Sequence, residues 1–226
     1  MLLCLGASGC ITSPTWDYGK TAEAKESSLG PCPNGMIDDG EDGDSQIIKV
    51  DERDGYWFTS VDEVGSEIQP KGDFKMAEGG PEGSKHAARA TGKTAATGQS
   101  IYVVLGFGLT SSKVPYDARP AKGVRFWAKG PARIRLKVPD VNTAPEGDRC
   151  SDCYNDFGVD LDLSDRWERY TIPFDKMGQS PGWGDRAPRI NEDQLFAIQF
   201  LFGSPDKEFE YWVDNIEFVG CEADSK

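Results

Sequence analysis

Gly123-Val-Arg-Phe-Trp-Ala-Lys-Gly-Pro-Ala-Arg-Ile-Arg-Leu-Lys-Val138 decides the fold class. Val124, Phe126 and Ala128 alternate with Arg125 and Trp127, and beyond Gly130-Pro131 the apolar Ile134, Leu136 and Val138 alternate with Arg133, Arg135 and Lys137. A period of two places successive side chains on opposite faces of a strand, and Gly-Pro between two such runs marks a turn. Each strand therefore has one face that packs and one that is polar and basic.

The same grammar extends in both directions. β-type runs read at 56–61, 85–91, 100–109, 158–163, 167–174, 195–202 and 209–219, separated by clusters of Gly, Pro, Asp and Asn, and no long helical period interrupts them. This succession predicts an all-β fold, a two-sheet antiparallel β-sandwich or jelly roll, over any βαβ fold. At 226 residues one such domain is the expectation, and 11 Phe, 7 Tyr and 6 Trp supply a core without relying on disulfides alone. The expected organisation is a lipoprotein-type signal at 1–10, a flexible tether at 11–34, the sandwich at 35–221 and a tail at 222–226.

The N-terminal reading rests on Met1-Leu-Leu-Cys-Leu-Gly-Ala-Ser-Gly-Cys10, an apolar stretch, then small residues, then a cysteine that would carry the lipid. Ala7 stands where Leu is usual and the positive leader is missing, so the true start is expected upstream. No later segment approaches the ~20 apolar residues that span a bilayer, which leaves a lipid anchor at Cys10 as the expected membrane attachment. The localisation that follows is a bacterial cell envelope or the extracellular space. Lys plus Arg number 25 against 38 Asp plus Glu, a formal charge of −13 that repels nucleic acid and anionic lipid. Most of those carboxylates are expected to be simply solvated.

Catalytic signals are sparse. His86 is the single histidine and has no accompanying Ser or Cys motif. Gly92-Lys93-Thr94 lacks the glycine a phosphate loop needs five positions earlier, where Ala87 stands. Asp38-Asp39-Gly40-Glu41-Asp42-Gly43-Asp44 reads either as a calcium-collecting turn or as an acidic surface turn; Gly40 and Lys49 at the third and twelfth positions exclude an EF-hand. Cys150-Ser-Asp-Cys153 lacks the further ligands of a structural zinc site. In an exported chain, disulfides Cys150–Cys153 and Cys32–Cys221 are the favoured pairing of three possible ones.

Sugars stack their C–H faces on aromatic rings and need directional hydrogen-bond partners for their hydroxyls. Tyr56, Trp57, Trp127, Tyr154, Trp183 and Trp212 are the aromatic candidates, with Trp183 in the Gly/Pro-rich loop Ser180-Pro-Gly-Trp-Gly-Asp185. Arg135, Lys137 and Gln199 are the polar candidates, each opposite its strand's apolar face.

Six landmarks carry a family resemblance: Glu41-Asp42-Gly43-Asp44; Gly55-Tyr-Trp-Phe58; Gly79-Gly80 through Gly83-Ser-Lys-His-Ala-Ala88; 123–130; Trp167-Glu-Arg-Tyr-Thr-Ile-Pro-Phe174; and Tyr211-Trp-Val-Asp-Asn-Ile-Glu-Phe218. In this order they resemble the galactose-binding-like jelly rolls, and within these the family-11 carbohydrate-binding modules, the complex-I intermediate-associated domains and lipoproteins of myxobacterial type. The resemblance covers residues 35 to 220. It implies a non-catalytic module with a β-glucan-like polysaccharide across a concave sheet and a structural calcium near the joined termini. Glu41 and Asp214 match the family's metal ligands, with Asp42, Gly83 or Ser84 nearby. Arg135, Lys137, Tyr154 and Gln199 align with its sugar-contacting strand positions. The insertion 140–157 departs from the shorter family pattern and is expected to reshape or cover the cleft. The expected partner is a polysaccharide or envelope glycan bound by a monomer. A structural or protein-interaction lipoprotein without sugar binding is the alternative reading, and a glycoside-active enzyme with two carboxylates ~5–10 Å apart is a third.

Overall fold

The computed structural model describes residues 29–221, so Cys10, the signal-like segment, most of the tether and the tail 222–226 lie outside the described residues. Among the described residues twelve strands follow one another: β1 (Pro31–Asp38), β2 (Trp57–Val61), β3 (Glu67–Gln69), β4 (Ala77–Glu78), β5 (His86–Lys93), β6 (Val103–Gly108), β7 (Gly123–Lys129), β8 (Arg133–Val138), β9 (Phe157–Asp162), β10 (Glu168–Pro173), β11 (Ala197–Phe202) and β12 (Glu208–Val219). They form two antiparallel sheets. One has the order β10-β7-β12-β5-β3, with β1 on β12 and β4 on β5; the other runs β2-β6-β11-β8-β9.

Alternation explains how the sheets face each other. Val124, Phe126 and Ala128 of β7 are fully buried, as are Leu105 and Phe107 of β6, Ile198 and Phe200 of β11 and Leu136 of β8. Phe126 of one sheet meets Phe200 of the other edge-on at 5.0 Å and stacks on Tyr170 at 5.7 Å. A polar link runs through the same core. The buried hydroxyl of Tyr211 on β12 donates to the carbonyl of Phe200 at 2.7 Å and accepts the amide of Leu105 at 3.2 Å.

β1 begins at Pro31, inside the stretch assigned to the tether, and its pairing with β12 is held at the start by the Cys32–Cys221 disulfide. That bridge closes a loop of sequence separation 189, the long-range kind that restricts an unfolded chain most. The second disulfide, Cys150–Cys153, lies within the β8–β9 insertion.

Replacing Tyr211 with Phe keeps the ring but leaves the Leu105 amide and Phe200 carbonyl without their shared partner. Urea unfolding of Tyr211→Phe is expected to show a loss of about 1–3 kcal/mol. An unchanged midpoint would show that the hydroxyl is not a structural link.

Candidate functional site

Register on the five-stranded sheet decides which side chains share its outer face. Phe58, Gly106, Gln199, Lys137 and Gly158 form one cross-strand row, and Ser60, Val104, Leu201, Arg135 and Asp160 the next. Glycine keeps the first row low. A Cβ on Gly158 would stand 2.1 Å from the Leu136 carbonyl, and one on Gly106 2.8 Å from that of Ile198. The rows floor a cleft of about 680 Å³. Its walls are the turn carrying Ile101 and Tyr102 on one side and the insertion with the Trp183 loop on the other.

Of the sugar-site residues expected from sequence, Arg135, Lys137, Tyr154, Trp183 and Gln199 all line this cleft. Tyr154 and Trp183 are 63% and 36% exposed, so both present aromatic surface to solvent. The insertion walls the cleft and leaves it open. Four of the aromatic candidates go elsewhere. Trp57 is a core residue, stacked on Phe74 at 5.6 Å and packed on Phe107 at 4.7 Å, with its indole N–H donated to Asp38; it has no surface for a sugar. Tyr56 is half exposed but lies outside the cleft, with its hydroxyl accepting a bond from Gln46 at 3.0 Å. Trp127 and Trp212 occupy the opposite sheet, under Arg169 and between Arg89 and Lys129.

The cleft's cations are internally matched. Arg135 pairs with Asp160 at 3.2 Å and donates to the Gly178 carbonyl, while Lys137 pairs with Asp156 at 2.7 Å. Asp160 is nevertheless held above the usual carboxylate range, because burial outweighs the two arginines beside it. Sequence reasoning missed Asp156, Asp160 and Tyr102; Val159 and Leu161 on either side of Asp160 carry an alternation that could have found it, whereas nothing local ties Asp156 to Lys137.

A second cluster joins the turn after β1, the loop before β5 and β12. The Ser84 hydroxyl lies 2.9 Å from Glu41 Oε1, 2.7 Å from Asp214 Oδ2 and 2.9 Å from the His86 carbonyl. A hydroxyl has one proton, so three converging acceptors exceed the donors among them. Glu41 is compensated by the amides of Lys85 and His86, which lower its pKa. Asp214 accepts the Asn215 amide at 2.7 Å, yet burial, reinforced by Glu41 and Asp38, outweighs this and pushes it up to about 7, and burial pushes Asp38 to about 6. This oxygen-rich, charge-excessive set fits a hard cation. Among the described residues no three Asp, Glu, His or Cys side chains converge as a ready-made metal site, so carbonyl, hydroxyl and water oxygens would have to complete the shell. Gly83 lines the adjoining cavity of about 420 Å³ with Glu41 and Ser84, whereas Asp42 is turned to the amide of Asp44 in its own exposed turn.

No family model and no curated protein matches the sequence. Solved structures do match in shape. A family 11 carbohydrate-binding module from Clostridium thermocellum, in complex with a β-1,3-1,4-mixed-linked tetrasaccharide, is 16% identical over 86% of this chain and 98% of its own, with a TM-score of 0.56. The family 11 module of a cellulosomal cellulase of Clostridium thermocellum gives 17%, 88%, 100% and 0.54, and a family 30 carbohydrate-binding module 14%, 78%, 95% and 0.53. The chain thus has the two-sheet jelly-roll fold of these modules.

Asp38 and Asp214 retain protons in the folded chain at pH values where an unfolded chain has lost them. Their stabilisation is complete below about pH 4 and lost as pH rises through about 6 to 7. Groups with depressed pKa, such as Glu41 and Asp185, act below that window and in the opposite sense. In chelator, the melting temperature is expected to fall between about pH 5 and about pH 7.5, and Asp214→Asn to flatten the slope. A profile that rises across this interval would contradict the assignment.

Proposed function

We propose that this chain is a non-catalytic carbohydrate-binding module that holds a neutral, β-glucan-like polysaccharide across its five-stranded sheet. The observation that carries the proposal is the cleft itself: two exposed aromatics, Tyr154 and Trp183, stand beside a floor that offers Gln199, Ser60 and Arg135. Aromatic faces suit the C–H surfaces of pyranose rings, and the amide, hydroxyl and guanidinium suit their hydroxyls. The mixed-linked tetrasaccharide bound by the family 11 module supports the glucan class. Charge supports the neutral one, because Arg135 and Lys137 are already matched by carboxylates and the chain as a whole carries −13.

In this reading calcium fixes the scaffold through Glu41, Asp214 and the oxygens around Ser84, and does not touch sugar. Its charge would relieve the crowding that raises the Asp214 pKa. Two disulfides favour an oxidising compartment, which accords with an envelope or extracellular module anchored through Cys10.

Calorimetry with a β-1,3-1,4-mixed-linked tetrasaccharide tests the assignment. Saturable binding is expected, weakened about tenfold by Tyr154→Ala or Trp183→Ala with little change in melting temperature. Calcium is expected to raise the melting temperature and chelator to reverse it. A folded chain that gives no heat with any neutral glucan would sink the glycan reading; a melting temperature indifferent to calcium would sink the metal one.

A further inference from the structure

Tyr154 has an unusual backbone. Its φ of +74° is a left-handed conformation that bulky residues avoid, yet the residue is 63% exposed, so core packing does not compel it. The flanking chain is fixed on every side. Cys153 is tied to Cys150, and the Asn155 side chain, almost wholly buried, donates to the carbonyls of Ser180 and Trp183 and accepts the Ser180 amide. The Tyr154 amide donates to the Thr143 carbonyl at 2.8 Å. Its carbonyl accepts Lys137 Nζ at 3.1 Å.

That last bond changes the meaning of Lys137. Its side chain is only 11% exposed and its ammonium faces the Asp156 carboxylate and the Tyr154 carbonyl, both on the cleft wall. A cation so engaged has little left for a sugar hydroxyl. We propose that Lys137 is a positioning residue: it rises from the cleft floor, grips the wall at Tyr154 and Asp156, and governs glycan affinity solely through the orientation of the Tyr154 ring. The inference rests on the glycan reading for its affinity effect and on the geometry alone for the latch. Preorganising an aromatic contact raises affinity by removing the ordering cost from the binding step.

A double-mutant cycle separates a latch from a contact. With the mixed-linked tetrasaccharide, Lys137→Met and Tyr154→Ala are each expected to lower affinity about tenfold, and the double variant to be no weaker than Tyr154→Ala alone. Independent, multiplying losses would mean that Lys137 touches the ligand itself and would overturn the proposal, as would an unchanged affinity in Lys137→Met. Removing the ammonium leaves Asp156, 3% exposed, without its counter-charge, so Lys137→Met with Asp156→Asn is the companion variant if the single one fails to fold.

Hydrogen exchange without ligand is the second arm. Amides at 153–156 are expected to exchange at least about tenfold faster in the Lys137 variants, with the β7 and β12 amides unchanged. Wild-type protein that binds no glucan would defeat the proposed function and leave this arm to decide the latch. Unaltered exchange at 153–156 would overturn the latch whatever the ligand.

Discussion

The two sheets are locked by contacts that tolerate one register. Phe126 meets Phe200 edge-on across the interface, and the Tyr211 hydroxyl reaches from β12 to the backbone of β6 and β11. A slip of one residue in any of these strands would send its apolar set outward and strand the phenol in the core without partners. Because the inner faces cannot slip, the outer rows cannot either. Gly106, Gln199, Lys137 and Gly158 lie in line because Leu105, Ile198, Leu136 and Val159 are their buried neighbours. The cleft floor is thus a by-product of core packing, and a rigid one.

The walls are made differently. The insertion 140–157 has little core of its own, Val141, Ala144 and Phe196 forming a small separate cluster. Its order comes from polar cross-links to the Trp183 loop. Asp185 accepts the amides of Ser151 and Asp152 and the Ser151 hydroxyl, while Gln179 bonds the carbonyls of Asn155 and Asp185. A disulfide four residues wide adds a local brace. Such a unit resists local opening through hydrogen bonds instead of buried area, and so leaves Tyr154 and Trp183 exposed to solvent.

How much of this was legible in the sequence follows from the range of the interactions. The run 123–129 was readable to the residue because alternation is local and both ends carry glycine or a charged turn. β1 was not, since Cys32-Pro-Asn-Gly35 has turn chemistry and the strand is held by an irregular pairing with β12 and a disulfide 189 residues away. β3 and β4, of three and two residues, are too short to show a period. Trp57 illustrates the ambiguity of Tyr56-Trp-Phe58: three aromatics in succession do not say which faces inward, and the deciding partner is Asp38, nineteen positions earlier. For the same reason Lys137 reads as a ligand contact from its strand alone. Its engagement with Asp156 and Tyr154 spans an insertion whose path no pattern specifies.

Buried ion pairs seldom add much stability, because desolvating both charges offsets their attraction. The Lys137–Asp156 pair is therefore poorly explained as a device for holding the sandwich together, which Phe126, Phe200 and Tyr211 already accomplish. Its position points elsewhere. Among the described residues one Asp156 oxygen accepts no hydrogen bond from the protein, and Tyr154, two positions earlier, keeps a backbone conformation that costs of order 1–3 kcal/mol. An orphaned acceptor, a strained φ and an exposed ring within three residues are departures from what favours folding, and all three sit on the cleft wall. Departures of this kind collect where a sequence answers to a requirement other than stability. On the function proposed above, that requirement is the fixed presentation of an aromatic ring beside a polar floor, and the proposed Lys137 latch from β8 ties the wall's geometry to the core's register.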